Sequence, residues 1–473
     1  MPRQWQVLIV VTAGAFLANL DLFIVNVAFP AIHADFHGAS LSDLSWVLNG
    51  YAIVFAALLV PAGRFADRVG RKRMFLAGMG IFVAASVLCA AAPSVSALIL
   101  ARVLQATGAA IMIPTSLALL LPEFAPDRRR AAVGLWTAGA AMAATLGPVV
   151  GGLLVREDWR WVFLVNVPLG CVTLIVGAML LHESRHSAAG AWPDLLGALL
   201  LCVGIGALAL GIVKGGSWGW ASAEFVGTEL VAVIAVLAFV VRSARHPSPV
   251  VELSLLRVRT TRAANISVFL FSMGFFPLLL ASVLYLTEVW HYSVVEAGAA
   301  IAPGPLIVAL CSWPAASIAA RFGPRPVVLP GVVLFAVACT WWAALASRHP
   351  NYLADMFVPS ILVGLGVALT FPVLAGAAVS DLPSSRAATG SAVFNMARQI
   401  GGVAGIAILV AILGSGVSTL DGLRAGWAVM ACAGLASGLA LVITGRRAGS
   451  GGAQAPAVDP GVGAPLVERE VVA

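Results

Sequence analysis

The sequence predicts an all-α polytopic membrane protein: two six-helix bundles related by a parallel repeat, with two inserted helices, fourteen transmembrane helices in all. Composition is the first reason. The 473 residues are 60% hydrophobic and 10% charged, with a mean hydropathy of +0.99, and so few charges cannot cover a water-soluble fold of this size. Segment length is the second. The apolar blocks run to about 20 residues, enough to cross roughly 30 Å of hydrocarbon as helices, and too long for the strands of a membrane barrel. An internal repeat, set out below, is the third.

Helices are expected near 8–28, 44–62, 74–91, 97–118, 132–154 and 161–180 in the first half. They follow near 194–213 and 224–241, then near 263–286, 297–319, 326–346, 354–378, 387–412 and 426–444. The first starts within ten residues of Met1, and no small-x-small cleavage site precedes the next polar loop, so it reads as a retained helix. The tail after Arg447 is rich in Gly, Pro and Ala and is expected to be disordered. All six cysteines lie in apolar runs without a CxxC pair and read as small packers.

A net charge of +7 would suggest nucleic acid in a soluble chain, but the distribution points elsewhere. With the N-terminus inside, 21 of the 28 Lys and Arg fall in inward tails and loops, five fall outside (Arg156, Arg160, Lys214, Arg348, Arg424), and Arg102 and Arg398 sit within helices. This is the positive-inside pattern. It places both termini in the cytoplasm, makes contact with anionic membrane lipids secondary, and leaves no role for nucleic acid. Trp46, Trp159, Trp161, Trp218, Trp220, Trp290, Trp341 and Trp427 fall near the outer boundary and read as an aromatic belt.

The repeat joins "ADRVGRKRMFLAG" from Ala66 to "AARFGPRPVVLPG" from Ala319, 253 positions on, with an arginine, two glycines and a leucine in register. "RAAVG" at Arg130 is echoed by "RAATG" at Arg386, and Pro114 by Pro372. Helices 1–6 thus map onto 9–14 in the same orientation, an arrangement that can rock two bundles about a central site. The expected units are residues 5–180, an inserted pair with its linker over 181–262, a second bundle over 263–445, and the tail 446–473.

Several residues resist a purely structural reading. Asp21 interrupts an apolar helix, where a lone carboxylate costs roughly 2.5 to 3.5 kcal/mol unless it meets a partner or a cavity. Burial favours its neutral form and a nearby cation its charged form, a competition that can couple protons to another ligand, although a structural carboxylate bonded across helices is the alternative. Asn19 and Asn26 share one face, to line a pore or to stitch helices. Arg102 and Gln105, three apart in helix 4, share another. "GRFADRVGRKR", from Gly63 to Arg73, reads as a tight cytoplasmic turn whose Asp67 has no topological role, and in the second copy Ala320 stands in its place. Ala143, Gly147 and Gly151 give helix 5 a smooth strip, with a bend at Pro148. Asn395, Arg398 and Gln399 lie inside helix 13, where an arginine needs a carboxylate, backbone carbonyls or an anionic substrate. Tyr51, Phe271, Phe275, Phe276, Trp313 and Phe394 are candidate lining for a mostly apolar pocket.

These motifs resemble the major facilitator superfamily, and within it the fourteen-helix drug:proton antiporter branch, over roughly residues 5 to 445. The resemblance implies proton coupling at Asp21 ("LDLFIVNVAFP") and at Arg102 with Gln105 ("RVLQATGAA", where Ala106 replaces the usual glycine). It implies a conformational switch at Asp67, Arg68, Gly70 and Arg71. The GPxxGG core of Gly147, Pro148, Gly151 and Gly152 implies export over import, and "WRWVFLVNVPLG" implies a structural role for Asn166 and Pro168. The implied partners are protons, lipids of a bacterial plasma membrane and an amphiphilic small molecule. With no deeply buried acid in the second half, a monovalent, neutral or zwitterionic cargo is expected, with the monomer as working unit. No cofactor or metal is expected: His182, Glu183 and His186 form only a weak cluster, and no GxxxxGK[ST] element is present for an ATP-driven pump. A proton-coupled importer, a dedicated metabolite transporter and a non-transporting receptor or assembly protein are the competing readings.

The topology is directly testable. Alkaline phosphatase fused after Arg447 should stay inactive, and the same enzyme inserted at Gly216 should be active; the reverse pattern would overturn the orientation.

Overall fold

The computed structural model describes residues 1–125, 128–184, 192–382, 384–414 and 420–444. The expected tail, His186 and the loop tips around them lie outside the described residues. The first set of helices is α1 Arg3–Asp35, α2 Leu41–Val69, α3 Arg71–Ala90, α4 Val95–Leu120, α5 Arg129–Val155 and α6 Trp161–Leu180. Then come α7 Leu195–Trp218 and α8 Ala223–Arg245. The second set is α9 Arg259–Leu284, α10 Val294–Phe322, α11 Arg325–Leu345, α12 Tyr352–Val379, α13 Ser384–Leu413 and α14 Leu420–Thr444. Among the described residues thirteen are long and apolar enough to cross a membrane. The 27-residue α5 is the remaining helix of the fourteen.

The helices outrun their apolar blocks. Hydropathy marks the stretch that lies in hydrocarbon, while the i to i−4 hydrogen-bond ladder continues through polar turns at either end. The largest consequence falls on Gly63 to Arg73, which is no extended turn: α2 continues to Val69, Gly70 alone breaks the helix at φ +132°, and α3 starts at Arg71. Gly323 repeats the break at φ +86°. Positive φ is open to glycine at little steric cost, which explains why both copies keep it.

The repeat seen in sequence recurs in packing. In the first half α1 runs along α5, while α2 and α3 both pack on α4; in the second, α9 runs along α13, while α10 and α11 both pack on α12. The same glycines permit these approaches. A Cβ at Gly147 would lie 2.9 Å from Phe23 of α1, and one at Gly401 or Gly405 would strike the carbonyls of Phe269 or Met273 of α9. A Cβ at Gly108 would lie 2.7 Å from the Gly78 carbonyl, and one at Gly366 2.8 Å from that of Gly331. Asn19 and Asn265 even make the same side-chain bond, to the carbonyl four residues back, at 2.8 and 2.7 Å. Aligned on these contacts, Asp21 corresponds to Ser267 and Arg102 to Ser360, so the halves share a scaffold and not a charge.

The two sets meet where Gly152 and Pro148 of α5 abut Val294 and Gly298 at the start of α10. The inserted α7 lies against both α2 and α13, with Ala56, Ala57, Val60, Leu201, Val393 and Met396 in one apolar cluster. Lys214 pairs with Asp43 at one end of this seam (2.7 Å). At the other, Arg64 donates to Ser248 Oγ (2.8 Å), the Pro249 carbonyl (2.7 Å) and Glu252 (3.0 Å) of the linker.

The aromatic belt needs correction. Trp161 and Trp220 are exposed, but Trp159, Trp290 and Trp427 are buried. Trp159 donates to Asp35 (2.9 Å), Trp290 to the Ser347 carbonyl (2.9 Å), and Trp427 stacks on Trp342 at 5.8 Å. Position along a helix gives depth in the membrane; it does not say which face a side chain takes.

Gly405→Ala should destabilise by about 1–3 kcal/mol through overpacking against the α9 backbone. Gly376→Ala, with open space around it, should be neutral or slightly stabilising. Thermal unfolding of the detergent-purified protein distinguishes them, and equal melting shifts would contradict the packing described.

Candidate functional site

Five of the first six helices converge on one buried polar cluster. Asp21 of α1 is 0% exposed and Arg102 of α4 is 1% exposed, and Nη1 of Arg102 donates to Oδ2 of Asp21. The other carboxylate oxygen, Oδ1, accepts from Gln105 Nε2 at 2.8 Å and from Asn166 Nδ2 at 3.2 Å. Gln105 also accepts from Arg102 (2.6 Å) and donates to Ser86 of α3 (2.8 Å). The guanidinium is held further by the Val47 carbonyl of α2 (3.2 Å) and lies 4.2 Å from the centre of the Tyr51 ring. Burying an unpaired charge is prohibitive, and the donors here satisfy both oxygens of the carboxylate.

Local sequence explains how each group arrives. The three-residue spacing sets Arg102 and Gln105 on one face of α4. Gly147 and Gly151 bring α5 against Phe23 and Ile24, beside Asp21 on α1. Pro168 lacks an N–H and crowds the carbonyl four residues back, so α6 breaks at Val165 and Asn166 begins the next helical segment. The resemblance implied for Asn166 a role in structure more than in transport; its amide reaches Asp21. An amide two residues before a proline in an apolar helix was the available signal. Ser86 gave none, because a serine in a membrane helix usually bonds its own backbone, as Ser86 does to Phe82 (2.8 Å).

The cluster borders a cavity between the two halves, lined by Leu22, Asn26, Leu48, Ala52 and Arg102 on one side and Phe276, Gln399, Gly402 and Ile406 on the other. Its volume is about 20 Å³, room for a water and far below the roughly 300 Å³ at which ligand pockets begin. The candidate pocket residues divide around it. Asn26 lines it, with its Oδ1 unpartnered among the described residues; Asn19 turns to its own helix. Tyr51 and Gln105 belong to the charged cluster. Phe271 and Phe275 pack on Phe371 at 5.1 and 5.2 Å, and Phe275 packs on Phe276 at 5.6 Å. Phe394 is core, and Asn395 bonds the Ser391 carbonyl (2.9 Å). Arg398 lies 5.9 Å from the centre of the Phe371 ring. Trp313 is 77% exposed on α10, outside the cavity, because hydropathy could not fix the rotation of that helix.

At the basic end, Asp67 pairs with Arg71 across the Gly70 break (2.8 Å), and Arg71 also reaches the Ala118 carbonyl of α4 (3.3 Å). Among the described residues no arginine of the other bundle pairs with Asp67. The Arg68 guanidinium lies 4.2 Å from the Trp192 ring. Glu183 caps α3 by accepting from the N–H groups of Lys72 (3.1 Å) and Arg73 (3.2 Å).

Comparison with known proteins gives a consistent result. The family model for the Major Facilitator Superfamily matches residues 11–406 and 266–471. The chain is 33% identical over 419 residues, covering 88% of this chain and 77% of the other, to the tetracenomycin C resistance and export protein of Streptomyces glaucescens. It is 32% identical to the multidrug resistance protein Stp of Mycobacterium tuberculosis over 88% of this chain and 77% of that one. The xylose transporter XylE from E. coli, in a partially occluded inward open conformation, shares the fold at a TM-score of 0.64 and 14% identity, over 93% of this chain and 97% of that one.

Arg102→Ala leaves the Asp21 carboxylate buried without its cation and should cost about 3–5 kcal/mol. Combining Asp21→Leu with Arg102→Met should recover most of that loss. Unfolding in a graded detergent series measures both, and a double variant as unstable as the single would show that the pair is not the stabilising unit.

Proposed function

The chain belongs to the Major Facilitator Superfamily, whose members are membrane transporters and not enzymes, and we propose that it is a proton-coupled antiporter exporting lipophilic or amphiphilic small molecules across a bacterial plasma membrane. The observation that carries this reading is the fully buried Asp21 carboxylate, held by Arg102, Gln105 and Asn166 beside the cavity between the two bundles. Export is supported by relatives named for drug and antibiotic resistance and export, and by the GPxxGG strip at the bundle contact.

The proposed coupling follows from hydrogen-bond chemistry. An ionised carboxylate accepts from all three donors that surround it; once protonated, it carries a donor of its own facing donors. The arrangement must then loosen, freeing Arg102 toward the cavity and changing how α1 lies on α4 and α6. Cargo that binds one arrangement better than the other is thereby linked to the proton, and the linkage is reciprocal. The cavity is closed down here, so loading requires the bundles to part. Asp67, Arg68, Gly70 and Arg71 are proposed as the switch at the cytoplasmic end: Asp67, bonded here within its own bundle, is free to exchange Arg71 for a partner across the seam.

In a pump-deficient bacterial host, wild type should lower accumulation of an amphiphile panel only while the proton gradient persists. Asp21→Asn at matched expression should abolish at least about 90% of that effect, a loss typical of removing an essential proton carrier. Raised accumulation would favour import, and no change across the panel would favour a dedicated metabolite or a non-transporting role.

A further inference from the structure

The cavity has a second polar wall, on α13, that the coupling cluster does not use. Gln399 is 1% exposed and lines the cavity, yet neither its amide nitrogen nor its oxygen has a hydrogen-bond partner among the described residues. Buried amides left unpaired are uncommon and call for an occupant. One residue earlier, Arg398 is half-buried with its Nε unpartnered, and no carboxylate reaches it among the described residues. Its guanidinium faces Phe371 at 5.9 Å. From there a run of rings leads back to the cavity: Phe371 against Phe275 (5.2 Å), and Phe275 against Phe276 (5.6 Å), which lines it.

Charge narrows the occupant. On the opposite wall Arg102 is neutralised by Asp21, whereas Arg398, beside the lining residue Gln399, has no carboxylate partner among the described residues. A cationic drug would meet a like charge with no acid paired to it among the described residues. An anion would neutralise Arg398, and the negative-inside potential of a bacterial membrane would assist its departure. Guanidinium and primary amide groups together donate well to a carboxylate, phenolate or enolate, while the phenylalanines offer edges and faces to a flat ring system.

Building on the export reading, we infer that Arg398, Gln399, Phe275, Phe276 and Phe371 form the cargo subsite, and that the cargo is an aromatic ring system bearing an ionised acidic oxygen. The rings pack on the phenylalanines, Arg398 takes the charged oxygen, and Gln399 donates to a second one. Within the monovalent, neutral or zwitterionic range expected from sequence, this selects the monovalent anion.

The test uses the full chain in nanodiscs and fluorescent naphthalene and anthracene probes, each as carboxylate, primary amide and trimethylammonium. Wild type should bind the carboxylates at least about tenfold more tightly than the amides or the ammonium probes. Arg398→Gln should erase that preference, Arg398→Lys should keep much of it, and Gln399→Leu should weaken the carboxylates and leave the ammonium probes unchanged. If Arg398→Gln fails to fold, the Lys variant and the wild-type carboxylate-to-amide ratio still decide. Carboxylates bound no more tightly than amides, or not bound at all, would overturn the inference. Transport in everted vesicles separates it from export: pumping of ammonium probes alone keeps the exporter and removes the anion subsite, whereas Arg398-dependent binding without transport of any probe keeps the subsite and removes export.

Discussion

The ion pair between Asp21 and Arg102 is the constraint on which the first half of the molecule depends. Neither charge tolerates a dry interior alone, and together they persist only because Gln105, Asn166, Ser86 and the Val47 carbonyl satisfy what the pair leaves over. That requirement reaches into the backbone. The break in α6 at Val165 lets Asn166 approach, and the glycine strip of α5 lets α1 settle close beside it. A hydrophobic pair in the same place would be easier to bury, but it could not respond to a proton.

The two halves apply one scaffold to different chemistry. The close glycine contacts recur, the helix pairings recur, and the loop glycine keeps its positive φ. Where the first half buries a carboxylate and a guanidinium, the second has Ser267 and Ser360. Ser267 makes a neutral hydrogen bond with Ser437 at 2.8 Å. Within α13 the second half carries Arg398 next to aromatic rings. A buried ion pair on one wall of a cavity and an unpaired amide on the other is an arrangement that movement of two rigid bundles can link, since both walls change together.

The inserted helices pack into the seam between the two halves. α7 touches α2 and α13, one helix from each half. Arg64, three residues before Asp67 on α2, is anchored by the linker that leads into the second half. Any sliding at this seam must therefore carry the linker or break three hydrogen bonds.

The sequence by itself determined the membrane class, the number and order of helices, the repeat, and the residues too polar for their surroundings, because length, hydropathy and burial cost are properties of a segment. Asp21, Arg102 and Gln105 were legible for that reason. Only the tertiary structure decided which of these groups meet. It joined Asn166 to Asp21 and Ser86 to Gln105, turned Phe271 and Phe394 into core, put Trp313 on an exposed surface, and buried three tryptophans read as belt. The physical reason is rotational: a uniformly apolar helix carries almost no amphipathic signal, so its sequence gives depth in the membrane but not the face turned to a neighbour. That face is set by the close contacts of small residues between helices, which exist only once the chain has folded.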